Sequence, residues 1–380
     1  MRRALDFAFD HYLLAPLGGA IALIWANASS ATYFEMTQPL TFAVNDVGMA
    51  IVLAYVAQEV FEAASVGGSL HSWRRAYVPI VGAVGATAGA VFVYVAFIGA
   101  GDQVALMQGW PVVCAVDLFL SLAVARVVFQ RRPAIITFVL ALAIASDVIG
   151  LVVISRPMVA SSTHPTSTAL LVPAIGASLA LRRAHVRSAW PYVVVAGSMS
   201  WFACFFGGWH PALALLPIVP FLRHEPRNWI GFDDPAGGAH ATSRHFEYIF
   251  KYPVQAIVFL FGLVNAGVLI HGVDAGTWAV VVASLVGRPL GIVGALVICR
   301  WAGLQLPRGL AWRETSVIAL AASPGAGFGL FFASAVFPIG PMLMQARIGA
   351  LFTVAGVLLA LGAARALRVG RFAAAAEQTE

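Results

Sequence analysis

An apolar run from Pro133 to Ser155 carries a single acidic residue near its middle, Asp147, and this feature restricts the fold more than any other. As a helix rising about 1.5 Å per residue, the run is long enough to cross a hydrocarbon core roughly 30 Å thick. A carboxylate at that depth costs about 2.5 to 3.5 kcal/mol, so it faces a protein interior or a wet cavity, where it binds something. Asp147 is therefore a functional residue by default.

The rest of the chain agrees with a membrane setting. It is 60% hydrophobic and only 11% charged, with a mean hydropathy of +0.86, outside the range of soluble domains. About twelve apolar spans are predicted, near residues 11–28, 42–63, 76–99, 110–127, 133–155, 166–182, 189–206, 210–222, 246–270, 277–301, 315–337 and 345–367. The fold class is thus an all-α polytopic membrane protein, a single transmembrane domain over residues 1–380. The eighth span is short and reads as irregular.

Of the 23 basic residues, nearly all fall in connections on one side. These run from Arg2, Arg3, Arg74 and Arg75 through Arg126, Arg131, Arg132, Arg182, Arg183 and Arg187. They continue with Arg223, Arg227, Arg244, Lys251, Arg300, Arg308, Arg313, Arg365, Arg368 and Arg371. Arg156 and Arg347 lie on the other side, and Arg288 is within a span. The rule that basic loops stay inside then places both termini in the cytoplasm. The same loops account for the net charge of +6, so nucleic acid is not a partner; the lipid bilayer is.

Asp6 and Asp10 interrupt the first apolar stretch, which reads as a retained span rather than a cleaved signal. Cys114, Cys204 and Cys299 all fall inside spans and behave as small hydrophobes, so no disulfide, zinc site or cofactor is expected. Most connections are short. The exceptions are a cytoplasmic stretch at 223–245, which separates eight spans from four, and a short tail at 371–380.

Two spans look interrupted, at comparable positions in the two parts of the chain. The fourth begins GWPVVCAVD, with Pro111 in its first turn and Asp117 shortly after. The eleventh contains SPGAGFG, in which Ser323, Pro324, Gly325 and Gly327 favour unwinding: proline removes a donor, and the glycines lower the conformational cost. Irregular backbone survives at membrane depth only where protein or a watery cavity satisfies it, so paired interruptions point to a transporter's binding site.

Four strongly ionisable side chains are placed within spans: Glu59, Asp117, Asp147 and Arg288. Arg288 requires a carboxylate or several backbone carbonyls. A buried carboxyl such as Asp147 holds either a proton or a hard cation such as Na⁺, which prefers oxygen ligands, and that competition is the chemistry of an ion/proton exchanger. Ser146 adds a hydroxyl, and Asp117 supplies charge where helix ends need compensation. His210, beside Trp209, reads as an interfacial anchor, with a pH-sensing role as the alternative. His224, His240 and His245 lack metal-ligand spacing.

These residues carry a resemblance. NDVGMAIVLAYVAQEV from Asn45, AVDLFLSLAV around Asp117, ALAIASDVIG around Asp147, VNAGV from Val264, GRPLGI from Gly287 and PGAGFGLFFASAVF from Pro324 occur in this order over nearly the whole chain. In that arrangement the chain resembles the NhaA family of bacterial sodium/proton antiporters, itself a standing example of inverted repeats with discontinuous helices. The resemblance implies an inverted-repeat antiporter fold with broken fourth and eleventh spans. It also implies exchange of Na⁺ or Li⁺, with K⁺ a further candidate, for H⁺ by alternating access, and a homodimer.

The departures from the family pattern are specific. Two adjacent aspartates are usual in the fifth span, and here Ser146 replaces the first. The usual lysine of the tenth span is Arg288, and the usual threonine before the fourth-span aspartate is Val116. Glu59 and Glu62 remain from a mixed acidic and basic patch implicated in pH response, and the first outer connection, 27–41, is short for a dimerising hairpin. Arginine is a poor proton carrier because it does not deprotonate, so coupling through Asp147 alone, near one proton per cation and electroneutral, is the expectation. In this reading a core carrying the broken spans rocks against a panel of the first, second, eighth and ninth spans, and Asn265 makes structural contacts.

The altered site leaves two other classes of function open: transport of a different substrate, such as an organic ion, on the same scaffold, and a non-transporting scaffold or sensor. An intramembrane aspartyl protease is excluded by the residues before Asp147, which are Ile144, Ala145 and Ser146 rather than Gly-x-Gly; no Gly-x-Ser-x-Gly or His-Glu-x-x-His motif occurs either.

Overall fold

The structure is a computed structural model that describes residues 14–65, 70, 72–101, 103–130, 132–161, 165–222, 242–270, 272–304, 306 and 310–376. The expectations placed on Arg2, Arg3, Asp6, Asp10, Arg131, His224, His240 and Arg308 lie outside these residues, as do those on 223–241 of the cytoplasmic connection and 377–380 of the tail.

Among the described residues the regular structure is helical and no strand occurs. Six helices are long and apolar enough to cross a membrane: Ala43–Ala64, Arg74–Ala100, Pro133–Ser155, Thr242–Asn265, Ala275–Trp301 and Pro341–Ala366. Two further spans are helix pairs, Val104–Cys114 with Leu118–Val128 and Trp312–Ala321 with Ala326–Val336, each bent by 48° at its break. The shorter apolar helices Leu14–Ala28 and Tyr192–Gly207 lie in the first and seventh expected spans, and helix Leu171–Arg183 lies in the sixth. The eighth is irregular, with short 3₁₀ turns at Pro211–Leu213 and Val219–Phe221. Helix begins at Thr242, slightly ahead of the expected ninth span, and the tail forms a short helix, Arg371–Ala376.

The chain forms two compact units. One comprises Met1–Leu40, Trp73–Gly150 and Phe259–Glu380; the other comprises Thr41–Ser72 and Leu151–Val258. The first unit holds both broken spans, and it also holds the first span, contrary to the expectation that this span belongs to the opposing panel. Hydrogen bonds explain that difference. Asn27 donates through Nδ2 to the Val268 carbonyl at 2.8 Å, and the Tyr33 hydroxyl donates to Leu263 O at 2.7 Å and accepts from Gly267 N–H at 3.1 Å. The first span and the helical turn after it, Ser30–Thr37, are thereby tied to the unwound backbone that follows Asn265. Asn265 itself donates to the Phe261 carbonyl one turn earlier, at 2.9 Å.

Within this unit the third and tenth spans pack most extensively. Gly85 and Gly89 face Gly287 and Gly291 so closely that a Cβ on Gly89 or Gly291 would collide with the opposite backbone. With no hydrophobic drive between helices in lipid, this backbone contact is what holds the tenth span in place. A π-helical turn, Ala283–Gly287, precedes Arg288 on that span. Pro289 has no N–H to give the Leu285 carbonyl, and the widened turn accommodates the missing bond.

Candidate functional site

The site is built where the two broken spans meet. In the fourth, the 3₁₀ helix Val104–Cys114, with Pro111 buried inside it, gives way to extended backbone at Ala115 (ψ 130°), and an α-helix starts at Leu118. In the eleventh, helix stops at Ala321 and restarts at Ala326, with Ser323 and Pro324 in the gap. The Asp117 N–H donates to the Pro324 carbonyl at 2.8 Å and joins the two gaps directly.

Four helix ends therefore converge in a region that water does not reach. Each end carries about half an elementary charge, positive at N-termini and negative at C-termini, and each leaves backbone groups without helical partners. Asp117, 5% exposed, serves the positive ends. Its Oδ1 accepts from the N–H groups of Phe119 at 3.1 Å and Leu120 at 3.0 Å, which caps Leu118–Val128. Its Oδ2 accepts from Gly327 N–H at 2.7 Å, at the start of Ala326–Val336.

Arg288, 1% exposed, serves the negative ends. Nη2 donates to Val113 O at 2.6 Å and also to Ala115 O, while Nη1 donates to Ser323 O and, at 3.4 Å, to Pro324 O. The sequence reading required either a carboxylate or several carbonyls, and the structure selects carbonyls. Among the described residues no ion pair joins Arg288 to Asp117 or Asp147. Gly325 and Gly327 are demanded by this crowding. A Cβ on Gly325 would strike the Ala115 carbonyl near the Arg288 guanidinium, and one on Gly327 would press on the Asp117 carboxylate.

Asp147 lies on the fifth span, the most enclosed of the six long helices, and both it and Ser146 are fully buried. Asp147 Oδ1 accepts from Val116 N–H at 3.0 Å. The threonine hydroxyl expected at that position is gone, yet the backbone still reaches the carboxylate. Oδ2 of Asp147 and the Ser146 hydroxyl have no hydrogen-bond partner among the described residues. The buried hydroxyls of Ser155, Ser178 and Ser200 donate to the carbonyls of Leu151, Ala174 and Ala214, whereas those of Ser121 and Ser243, like that of Ser146, have no partner among the described residues. Asp147 lies within electrostatic reach of both Asp117 and Arg288.

The structure thus gathers Pro111, Asp117, Ser146, Asp147, Arg288, Ser323, Pro324, Gly325 and Gly327 in one unit. Glu59, Glu62 and His210 belong to the other. Glu59 is only half-buried rather than deep, and Glu62 accepts from Gln58 Nε2 at 3.3 Å. His210 is not an interfacial anchor: it is 6% exposed, its N–H donates to Ser155 Oγ at 2.8 Å, and its Nδ1 accepts from Ala212 N–H at 3.2 Å. It caps the turn that Pro211 begins. Sequence reasoning missed one member of the crossing, Thr353, whose hydroxyl accepts from Gly325 N–H at 2.9 Å.

Two interrupted helices whose opposed ends are neutralised by one buried acid and one buried base, next to a carboxylate with an uncommitted oxygen, define a secondary transporter of the inverted-repeat kind. The chain belongs to the family described as Na⁺/H⁺ antiporter 1, which it matches over residues 15–365. It is 34% identical to the Na⁺/H⁺ antiporter NhaA of Desulfitobacterium hafniense over 383 aligned residues, covering 97% of each chain. It is 33% identical to Na⁺/H⁺ antiporter NhaA 1 of Pelobacter propionicus and to the NhaA of Geobacter sulfurreducens, covering 98% of this chain and 100% of each relative. Membership in a family of transporters also sets the enzyme readings aside.

Proposed function

We propose that this protein exchanges Na⁺ or Li⁺, with K⁺ as a further candidate, for H⁺ across the bacterial inner membrane, with both termini cytoplasmic. The observation that carries the reading is the state of Asp147: fully buried, held through Oδ1 by Val116 N–H, and with Oδ2 uncommitted. A carboxyl so placed is either protonated or coordinated to a cation, because an isolated buried charge is untenable. Binding of the cation therefore expels the proton, and the reverse.

In this reading Asp147 is the carrier and Ser146 Oγ the neighbouring neutral oxygen ligand. Asp117 already accepts three backbone bonds, so it contributes charge and shape to the cation site more than an open coordination position. Arg288 neutralises the two negative helix ends and exchanges no proton, since a guanidinium keeps its proton and stays charged. With one titrating group, exchange approaches one proton per monovalent cation and is electroneutral. Alternating access follows from movement of the unit that carries the broken spans, which keeps the crossing intact. Glu59, Glu62 and His210, outside that unit, remain candidates for a pH response.

The test is a pH-gradient dequenching assay on the purified protein in liposomes, with Na⁺, Li⁺ and K⁺ added in turn. Dequenching with Na⁺ or Li⁺ supports the reading. Failure with every cation across the neutral pH range would turn it towards another substrate or a non-transporting sensor.

A further inference from the structure

Thr353 lies within the twelfth span, Pro341–Ala366, at a two-residue turn between helices Pro341–Phe352 and Ala355–Ala366 where the backbone keeps helical angles. Its side chain is fully buried, in a stretch that otherwise reads as ordinary apolar span. The hydroxyl makes two bonds of opposite sense. It donates to the Ala350 carbonyl, the usual resting place of a threonine hydroxyl in a helix, and that donation leaves its lone pairs aimed outwards. One of them receives the Gly325 N–H at 2.9 Å.

Gly325 is the residue from which the second half of the eleventh span starts, and its N–H is one of the four that a helix N-terminus leaves without internal partners. Asp117 takes the Gly327 N–H from the same terminus. The twelfth span also presses on the break elsewhere: a Cβ on Gly356 would meet Ser323 Oγ and the Pro324 ring. The two carbonyls that receive Arg288 Nη1, those of Ser323 and Pro324, immediately precede Gly325. One hydroxyl thus pins the junction between the carbonyls serving Arg288 and the amide serving Asp117.

We propose that Thr353 is a positioning residue for the cation site: its hydroxyl fixes the backbone of the eleventh-span break, and through it the placement of Asp117 and Arg288 around Asp147. This rests on the crossing being the transport site, and it extends that reading to a helix that contributes no ionisable group. Threonine is needed rather than valine because the apolar shape alone would leave the Gly325 N–H buried without an acceptor.

The experiment compares Thr353→Val, which keeps the shape, with Thr353→Ser, which keeps the hydroxyl, in purified full-length protein. Two readouts are taken: amide hydrogen exchange of a peptide spanning the break, and the KM and kcat of Na⁺-driven dequenching. Thr353→Val is expected to speed exchange at the break and to raise KM for Na⁺ about tenfold, the consequence of orphaning one buried donor, with kcat within about twofold. Thr353→Ser is expected to restore both. Should the valine variant fail to fold, Thr353→Ala carries the same expectation. Amide exchange unchanged by Val, or a serine variant as defective as the valine one, would overturn the proposal. Neither result would touch the assignment of Asp147, because that assignment is tested by the wild type and Asp147→Asn.

Discussion

Asp117 and Arg288 neutralise opposite ends of the same two broken helices without touching each other. The carboxylate gathers N–H groups from Phe119, Leu120 and Gly327, and the guanidinium gathers carbonyls from Val113, Ala115, Ser323 and Pro324. Each ion is bonded to backbone rather than to a counter-ion, with Arg288 Nε left without a partner among the described residues, and Asp147 stays uncommitted at Oδ2. A salt bridge to Arg288 would have pinned Asp147 as a permanent anion. Its absence among the described residues leaves the carboxyl able to change partner.

Replacing Asp117 by Ala removes two acceptor oxygens and the three hydrogen bonds they receive. Loss of a helix cap together with at least one orphaned buried donor is expected to lower stability by roughly 2 to 4 kcal/mol. Asp117→Asn, which keeps an acceptor oxygen, should lose less. Thermal unfolding of the detergent-solubilised variants checks this, and an alanine variant as stable as the wild type would contradict the capping role.

Arg288→Met leaves buried carbonyls without donors and should destabilise by about 3 to 5 kcal/mol, the range for breaking a buried charged cluster from one side. Arg288→Lys retains the charge but not the planar fork that reaches both broken spans, so partial recovery of stability is expected. The same melting measurement ranks the three proteins.

On the proposed competition of proton and cation for the Asp147 carboxyl, the apparent affinity for Na⁺ should weaken as pH falls. Protonation removes the ligand, so below the pKa that Asp147 has in the protein, each unit of acidification raises KM for Na⁺ about tenfold. Initial rates of Na⁺-driven dequenching at several pH values give the slope. A KM that stays flat while kcat alone changes would indicate that the titrating group lies elsewhere.

Exchange carried by Asp147 alone moves no net charge. Imposing an inside-negative potential with a K⁺ gradient and valinomycin should leave the Na⁺/H⁺ exchange rate unchanged, whereas potential-driven uptake would require a second proton-carrying group.

The spans and the eleventh-span interruption were legible because proline and clustered glycine are strong local signals, whereas in the fourth span Pro111 lies inside the 3₁₀ helix and the break falls at Ala115–Asp117; Asp117, Asp147 and Arg288 stood out because charge inside an apolar run is costly. The need of Arg288 for carbonyls or a carboxylate was visible too, though not the choice between them, since that depends on where two distant segments meet. Three features left no trace. Thr353 reads as a threonine bonded back along its own helix, which is only half of what it does. His210 looked like an anchor beside Trp209, but the burial that makes it a cap comes from packing against Ser155. The link from Tyr33 and Asn27 to the backbone after Asn265, which places the first span with the broken ones, joins residues more than two hundred positions apart.

The most direct test of the account asks whether cation binding and proton release occur at the same atom. NaCl added to the purified protein in weakly buffered detergent solution, with choline chloride as control, should release protons from the wild type, approaching one per chain at saturation. Asp147→Asn, which keeps an acceptor for Val116 N–H but cannot ionise, should remain folded and release none. Proton release that persists in Asp147→Asn would contradict the central claim and move the exchanging group elsewhere in the chain.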